Sequence, residues 1–453
     1  MLVVTFFTYL FLYLTILCTG YVIVSLFGVK NFIGRISLGV LLSTSLLTYV
    51  QFLLFALFKL KFTTVNLVGI LLFCWILLFS QRNKLRLNTK TFKGFFQRLH
   101  LKKLEKALSI FLIVFILFRF ISNLYLPLID WDSLALYDFR AKVFAETGEM
   151  ADGIRRGYFL HYPLYTSLLH TWSYLLGIPQ VKTWYALLFT AFLGSFYFLL
   201  RKETSRTTAL IGTVFLATNH LLLAHSSMGY TNLPYAIFLS IGFLFLLHWI
   251  QKGERSELLL GSVFIAFSTW IRLTEPFWIL SLPLFALGFI RWKKDFIAIL
   301  GSALFIIFLK YPWTSFAARA TGNQAANPFF TFYTAKEADV RESVFLLRLK
   351  SVLFFFYHYV YPILRSYVPP LIIAFLFAVY KKNQKYLLNV CIFTFFVSFI
   401  ILGIFLFSFQ FPEWATIPDS ATRMSMFLIP LAIYLIMTSE LWYLNPQKIR
   451  RKE

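Results

Sequence analysis

Long apolar runs dominate the chain, separated only by short polar breaks. They fall near 2–28, 33–58, 62–80, 107–127, 183–200, 207–224, 232–250, 257–273, 276–291, 295–311, 366–380, 387–410 and 424–443. A helix needs about 18 or more apolar residues to cross a hydrocarbon layer. The pattern therefore predicts an all-α polytopic membrane protein with about thirteen transmembrane helices. No sequence repeat of fixed period is visible.

Composition strengthens this reading. Hydrophobic residues make up 59% of the 453 positions and charged residues only 14%, with 56 Phe, more apolar surface than a soluble core can absorb. The net charge of +24 would suggest nucleic acid in a soluble protein. Here the Lys and Arg sit mostly in short loops between apolar runs, so they read as topology signals and no nucleic-acid partner is expected. Cys18, Cys74 and Cys391 all lie inside apolar runs, with no paired or metal-ligand spacing. The first run has no basic segment ahead of it and Leu17 precedes Cys18, so it reads as a retained helix and not a cleaved leader.

Charge also orients the chain. Segment 81–106 carries nine basic residues, from Arg82 to Lys106, against Glu105, and is expected to face the cytoplasm. The span after it exits, placing 128–182 outside. Basic clusters at Arg201–Arg206, Lys252–Arg255, Arg291–Lys294, Lys381–Lys385 and 448–452 then all fall inside, provided that 162–177 does not cross. That segment is short and is expected to be a helix lying in the outer interface. The predicted organisation is a three-helix anchor (1–80), a basic cytoplasmic loop (81–106), a module over 107–443 with outer loops 128–182 and 312–365, and a basic cytoplasmic tail (444–453). The expected location is the plasma membrane, multi-pass, with the active face outside the cytoplasm; an endoplasmic-reticulum location fits the same physics.

Candidate chemistry collects at the outer boundary. Asp130-Trp131-Asp132-Ser133 follows an apolar run directly, with Asp138, Arg140 and Lys142 just behind. Carboxylates beside a bilayer are costly and often functional. An Asp before a helix start is also an ordinary cap, so capping and catalysis both stand. His161 opens His161-Tyr162-Pro163-Leu164, where a lone His is ordinarily structural. Arg272 and Glu275 sit in one outer turn, either as a local i,i+3 pair or with the guanidinium free to grip a lipid phosphate. Arg423 stands at the outer start of the last span, where it either snorkels or joins the same phosphate site. No metal site is proposed and no cofactor is expected, with a divalent ion left open.

Read in order, these residues resemble the GT-C membrane glycosyltransferases, in particular those that take a sugar from a polyprenyl phosphate, such as the protein O-mannosyltransferases and aminoarabinose transferases. The resemblance rests on Asp130-Trp131-Asp132-Ser133, Arg140-Ala141-Lys142, His161-Tyr162-Pro163-Leu164, Tyr230-Thr231-Asn232-Leu233-Pro234, Arg272 ahead of Pro276, and Arg423 to Pro430. It covers about 107–443. The chain departs from the family where Trp131 splits the acidic pair, where Asn232 replaces a second acidic residue, and where Arg272 replaces the common Lys.

The resemblance implies a GT-C type bundle and inverting transfer of a sugar from a polyprenyl phosphate donor to a hydroxyl on a lipid, protein or glycan acceptor. Asp132 would be the base and Asp130 its runner-up or orienting partner. Arg272 and Arg423 would hold the donor phosphate. Tyr137, Asn232, His161 and Glu275 are further site candidates. The rival readings are a transporter or flippase of a lipid-linked or anionic solute, and a polymerase or ligase of surface polysaccharide.

Overall fold

A computed structural model describes residues 2–80, 101–150, 162–273, 276–320, 350, 352–354, 356–410 and 422–442. Among these residues the structure is helical and contains no strand. In chain order the helices used below are α1 (Leu2–Leu26), α2 (Phe32–Phe58), α3 (Thr64–Ser80), α4 (Lys103–Tyr125), α5 (Phe139–Thr147), α6 (Tyr165–Leu175), α7 (Thr183–Arg201), α8 (Arg206–Ala217), α9 (His220–His225), α10 (Asn232–Lys252), α11 (Arg255–Ile271), α12 (Ser281–Arg291), α13 (Phe296–Ala320), α14 (Val368–Tyr380), α15 (Gln384–Gln410) and α16 (Leu428–Thr438).

The chain is an all-α polytopic protein by the length and composition of its helices. Among the described residues seven helices are long and apolar enough to cross a membrane, or up to eight if the bent pair Val352–Leu364 and Val368–Tyr380 is one span. The sequence pattern predicts about thirteen. The difference lies in the bent pair and in short elements: Thr64–Ser80, Arg206–Ala217, Phe277–Arg291 and Thr422–Thr438 are apolar but only 10–17 residues long, and α11 (Arg255–Ile271) has 17 residues. The bent pair turns by 76°, with prolines in the first turn of each of its later pieces, positions where the missing N–H does no harm.

The chain forms two compact units, Met1–Phe198 with Ala217–Ala326, and Leu199–Leu216 with Asn327–Glu453. The second unit packs α14, α15 and α16 around Ala374, Ala378 and Tyr386. Lys385 reaches Glu203 at 2.8 Å, and Asn383 donates to Glu440 at 2.6 Å.

The first unit holds the N-terminal helices, which the sequence sets apart as an anchor. Here α1, α2 and α3 share one body with the segments that follow. Asn31 caps α2 by accepting the Gly34 N–H, and a polar stripe then runs along the helix at Thr44, Thr48 and Gln51. Its members meet Tyr165 (3.1 Å), Trp270 (3.0 Å) and Trp172 (2.5 Å). This i, i+4, i+7 spacing puts all three on one helix face, so α2 is a wall for α6 and α11 in addition to any membrane role.

α1 and α2 cross at Gly20 and Gly39, where a Cβ on Gly20 would lie 2.1 Å from the Gly39 carbonyl oxygen. Backbones this close require small residues. Gly39→Leu should cost about 1–3 kcal/mol or more by overpacking and lower the melting temperature of the detergent-solubilised protein. Gly69→Ala, where a Cβ meets nothing within 4 Å, should leave it unchanged. Equal melting of the two variants would remove the close crossing.

α6 corrects a second expectation. The sequence suggests that 162–177 lies in the outer interface, but Tyr165 to Ser173 are buried on every side. Its 11 residues span about 16 Å, too short to cross, and its faces are taken by α2, α3, α5 and α11. Its hydroxyls and imidazole, at Thr166, Ser167, His170 and Thr171, are buried within the protein.

Candidate functional site

α4 leads into the site. Most of α4 faces outward, but Glu105, Leu112 and Asn123 are buried on one stripe that also carries Arg119. Arg119 donates to Ser226 at 3.0 Å and to the Leu223 carbonyl at 2.7 Å, and also to Ser227. Asn123 donates to the Lys182 and Ser226 carbonyls at 3.0 and 2.7 Å. Lys182 in turn donates to the Pro127 carbonyl at 3.1 Å. These bonds tie the end of α4, the start of α7 and the turn after α9 together, and fix where the chain emerges at Leu128.

The next helix begins at Trp131. The Asp130 carbonyl accepts the Leu134 N–H at 3.0 Å, and Ser133–Asp138 is wound as a π-helix before α5 continues it to Gly148. Gly148 takes φ 69°, a left-handed cap that glycine supplies without strain. π segments cost hydrogen-bond geometry and concentrate at functional sites. Asp130 and Asp132 are half-buried and flank the exposed Trp131. Asp132 lies in the first turn of this helix, and its side chain makes no capping bond to the π segment. Burial lowers the Lys182 ammonium, and the nearby Asp130 charge opposes that shift. Ser133 is buried against Gly229, where a Cβ would come within 2.8 Å of Ser133 Oγ.

The π winding sends two consecutive side chains into separate networks. Tyr137 is 3.0 Å from Thr231 Oγ1. The same hydroxyl oxygen accepts from Arg272 Nη1 at 3.2 Å. Arg272 lies over the Tyr162 ring at 5.0 Å, and Tyr162 meets Tyr137 edge-on at 5.8 Å. Arg140 donates to the Tyr162 carbonyl at 3.1 Å and lies 5.7 Å from the centre of the Tyr137 ring. Two guanidiniums thus flank one tyrosine pair. Burial pushes the Tyr137 hydroxyl well above its ordinary range, so it stays protonated and can donate.

Asp138 turns the other way. Its Oδ1 accepts from Tyr174 at 2.6 Å and lies 3.2 Å from His170 Nδ1, while its Oδ2 lies 3.0 Å from Lys142 Nζ. His170 Nε2 is 3.0 Å from the Tyr185 hydroxyl. His170 thus links the Asp138 carboxylate and the Tyr185 hydroxyl through its two ring nitrogens. Burial alone would raise the Asp138 carboxyl. The hydrogen bond and charge of His170, then Tyr174 and Lys142, outweigh burial and hold it at about 2. Burial drives the Tyr174 hydroxyl upward, and the hydrogen bond to Asp138 adds to the shift.

Of the residues singled out from sequence, Tyr137 and Arg272 meet through Thr231, and Asn232 is buried next to it at the start of α10. Asp132 precedes Ser133, which packs on Gly229 two residues before Thr231. Arg423 is half-buried and belongs to the second unit. His161 and Glu275 lie outside the described residues. Sequence reasoning placed neither Arg140 nor Asp138 in the site, although both stand in the quoted stretch. Asp138 and Lys142 at i,i+4 were a readable pair; His170 and Tyr174 gave no signal from so far along the chain.

Among the described residues no group of three His, Cys, Asp or Glu side chains is placed to hold a metal ion. No protein-family model, curated protein or solved structure matches the chain. The arrangement offers half-buried carboxylates, a hydroxyl pair that can donate a hydrogen bond, and guanidiniums that can hold an anion.

Proposed function

We propose that the chain is a membrane glycosyltransferase that moves a sugar from a polyprenyl phosphate to an acceptor hydroxyl on the outer face of the membrane. The observation that carries this reading is the double stitch between the acidic helix start and the Thr231 turn. Ser133 packs on Gly229, and Tyr137 shares Thr231 with Arg272. A carboxylate and a guanidinium are thereby held to one neighbourhood, as transfer from an anionic leaving group demands. The GT-C type bundle, the thirteen-span threading and the plasma-membrane orientation belong to the same proposal.

In the proposed reaction Asp132 takes the acceptor proton while the acceptor oxygen attacks the anomeric carbon. The bond from that carbon to the phosphate oxygen breaks, and its electron pair leaves with the polyprenyl phosphate. The leaving group needs charge stabilisation and no proton, which Arg272 supplies. A single displacement inverts the anomeric carbon, unlike the retaining route with two carboxylates. The acceptor is a lipid, protein or glycan hydroxyl.

Transport of a lipid-linked or anionic solute is the alternative. A proton-coupled carrier needs a carboxylate that titrates near working pH. The most deeply buried carboxylate of this site, Asp138, is held at about 2, which favours surface chemistry. The deciding experiment supplies native membranes with polyprenyl phosphates bearing labelled sugars and follows label into a new acceptor. Transfer with an inverted anomeric centre is expected. Movement of intact labelled lipid between leaflets without sugar release would install the carrier in its place.

A further inference from the structure

Arg140 is 2% exposed. Its Nη1 donates to the Tyr162 carbonyl, but its Nε and Nη2 have no hydrogen-bond partner. A guanidinium carries five N–H donors in a fixed fork, so most of this one's capacity is unspent in a place where water does not reach it. Native proteins rarely bury such donors unpaired, and each case calls for an explanation such as a missing ion. No carboxylate among the described residues pairs with it. Asp138 is two positions away, faces α6, and is occupied by His170, Tyr174 and Lys142. Residues two apart on a helix do not face each other.

The surroundings are those of a site for a negative group. Arg140 and Arg272 approach the same Tyr137–Tyr162 pair, one against each ring. Tyr137 and Thr231 add hydroxyls between them. Aromatic faces and neutral carbonyls soften the cost of a buried cation, yet neither supplies the opposite charge that burial ordinarily requires. The unpaired edge of Arg140, Nε with Nη2, is the edge that binds two oxygens of a phosphate or carboxylate at once.

We infer that Arg140 and Arg272 form a buried oxyanion site beside the Tyr137–Tyr162 pair, whose ligand is a phosphate-class group held two-pronged by Arg140. Only the identity of the anion's carrier, a lipid headgroup, rests on the transferase reading; the site itself stands apart from it.

The test uses the full-length protein in detergent micelles and reads ligand-induced shifts in melting temperature, titrated to a Kd. Inorganic phosphate is one probe. A polyprenyl phosphate, matched by the polyprenol of the same chain length, is the other. The wild type should be protected by a phosphate-bearing probe and not by the polyprenol. Arg140→Met and Arg272→Gln should each weaken that protection by about tenfold or more. Arg140→Lys keeps the charge and the fold but loses the fork, and should weaken binding by a similar factor. Lys61→Gln, an exposed cation paired with Glu149, should bind as the wild type does.

Protection by the lipid phosphate alone assigns the anion to a headgroup, and protection by inorganic phosphate assigns it to a free ion; both support the site. No protection by either probe, or protection undiminished in Arg140→Met and Arg140→Lys, overturns it. Loss of binding in the Arg140 variants together with absent sugar turnover by the wild type would keep this site and sink the transferase.

Discussion

Asp138→Ala is expected to destabilise the protein by about 2–5 kcal/mol. Removing the carboxylate leaves the His170 N–H and the Tyr174 O–H buried without an acceptor, and each such orphan costs about 1–3 kcal/mol. Lys142 contributes little to the loss, because its side chain is 53% exposed and can turn to water. That asymmetry orders the variants. In Asp138→Asn the amide oxygen can stand in for Oδ1 and keep His170 and Tyr174 satisfied, with the amide nitrogen toward Lys142. Asn should therefore cost about 1–2 kcal/mol, well short of Ala. Chemical unfolding in detergent, followed by near-UV circular dichroism, reads both. An Asn variant as damaged as Ala would mean that the negative charge, and not the acceptor at Oδ1, holds the network.

The same carboxylate has a pH signature. Its folded value of about 2 lies below the ordinary 3.8. A depressed acid stabilises the fold fully above its unfolded value, and the contribution is lost as pH falls through the folded one. The stability difference between wild type and Asp138→Asn should thus be constant from neutral pH to about pH 5 and shrink toward zero near pH 2. So strong an acid is also a poor proton acceptor at neutral pH. Asp138 is better suited to fix the π segment, and with it the direction of Tyr137, than to take a proton from a substrate.

How much of this was legible in the sequence depends on distance along the chain. The apolar runs could be read because lipid-facing and buried helices both demand them, position by position. For the same reason the pattern does not separate a long span from a short apolar element: Phe277–Arg291 carries the same signal as helices of crossing length but is shorter than they are. The acidic helix start was visible because Asp130, Asp132 and Asp138 are neighbours. The partners that give them meaning were not. His170 is 32 residues from Asp138, and Thr231 is 94 from Tyr137. The interfacial expectation for α6 rests on its shortness, its aromatic ends and its bounds at Pro163 and Gly177, none of which reports what packs around it. That its residues are buried by α2 and α5 is a property of several helices together, which no single-helix period contains. The π winding has no sequence signal either, yet it decides that Tyr137 faces Thr231 while Asp138 faces His170.

Asp132→Asn is expected to lower the turnover of a polyprenyl-phosphate sugar by about 10²–10⁴, the range that positioned general bases supply. Donor affinity should change little, since the phosphate is held elsewhere. Asp130 is the natural comparison. It stands before the first helical residue, and its charge is close enough to Lys182 to favour that ammonium, which itself bonds the Pro127 carbonyl. Much of its field is directed at holding the exit of α4. Asp132 has one residue of helix behind it and precedes Ser133, which rests on Gly229 two residues before the Thr231 that Arg272 binds. It is thus the nearer of the two, along the chain, to the guanidinium that would take the leaving phosphate. Asp130→Asn should lose no more than about tenfold and should show part of that loss as lower thermal stability, through Lys182. Asp132→Asn keeps an acceptor oxygen at the same place, so its loss should appear in turnover normalised to folded protein. Turnover in solubilised membranes, normalised to folded protein, separates the two. Were Asp130→Asn the inactive variant and Asp132→Asn active, the base would move two residues toward α4, and Lys182 would become the group that tunes it.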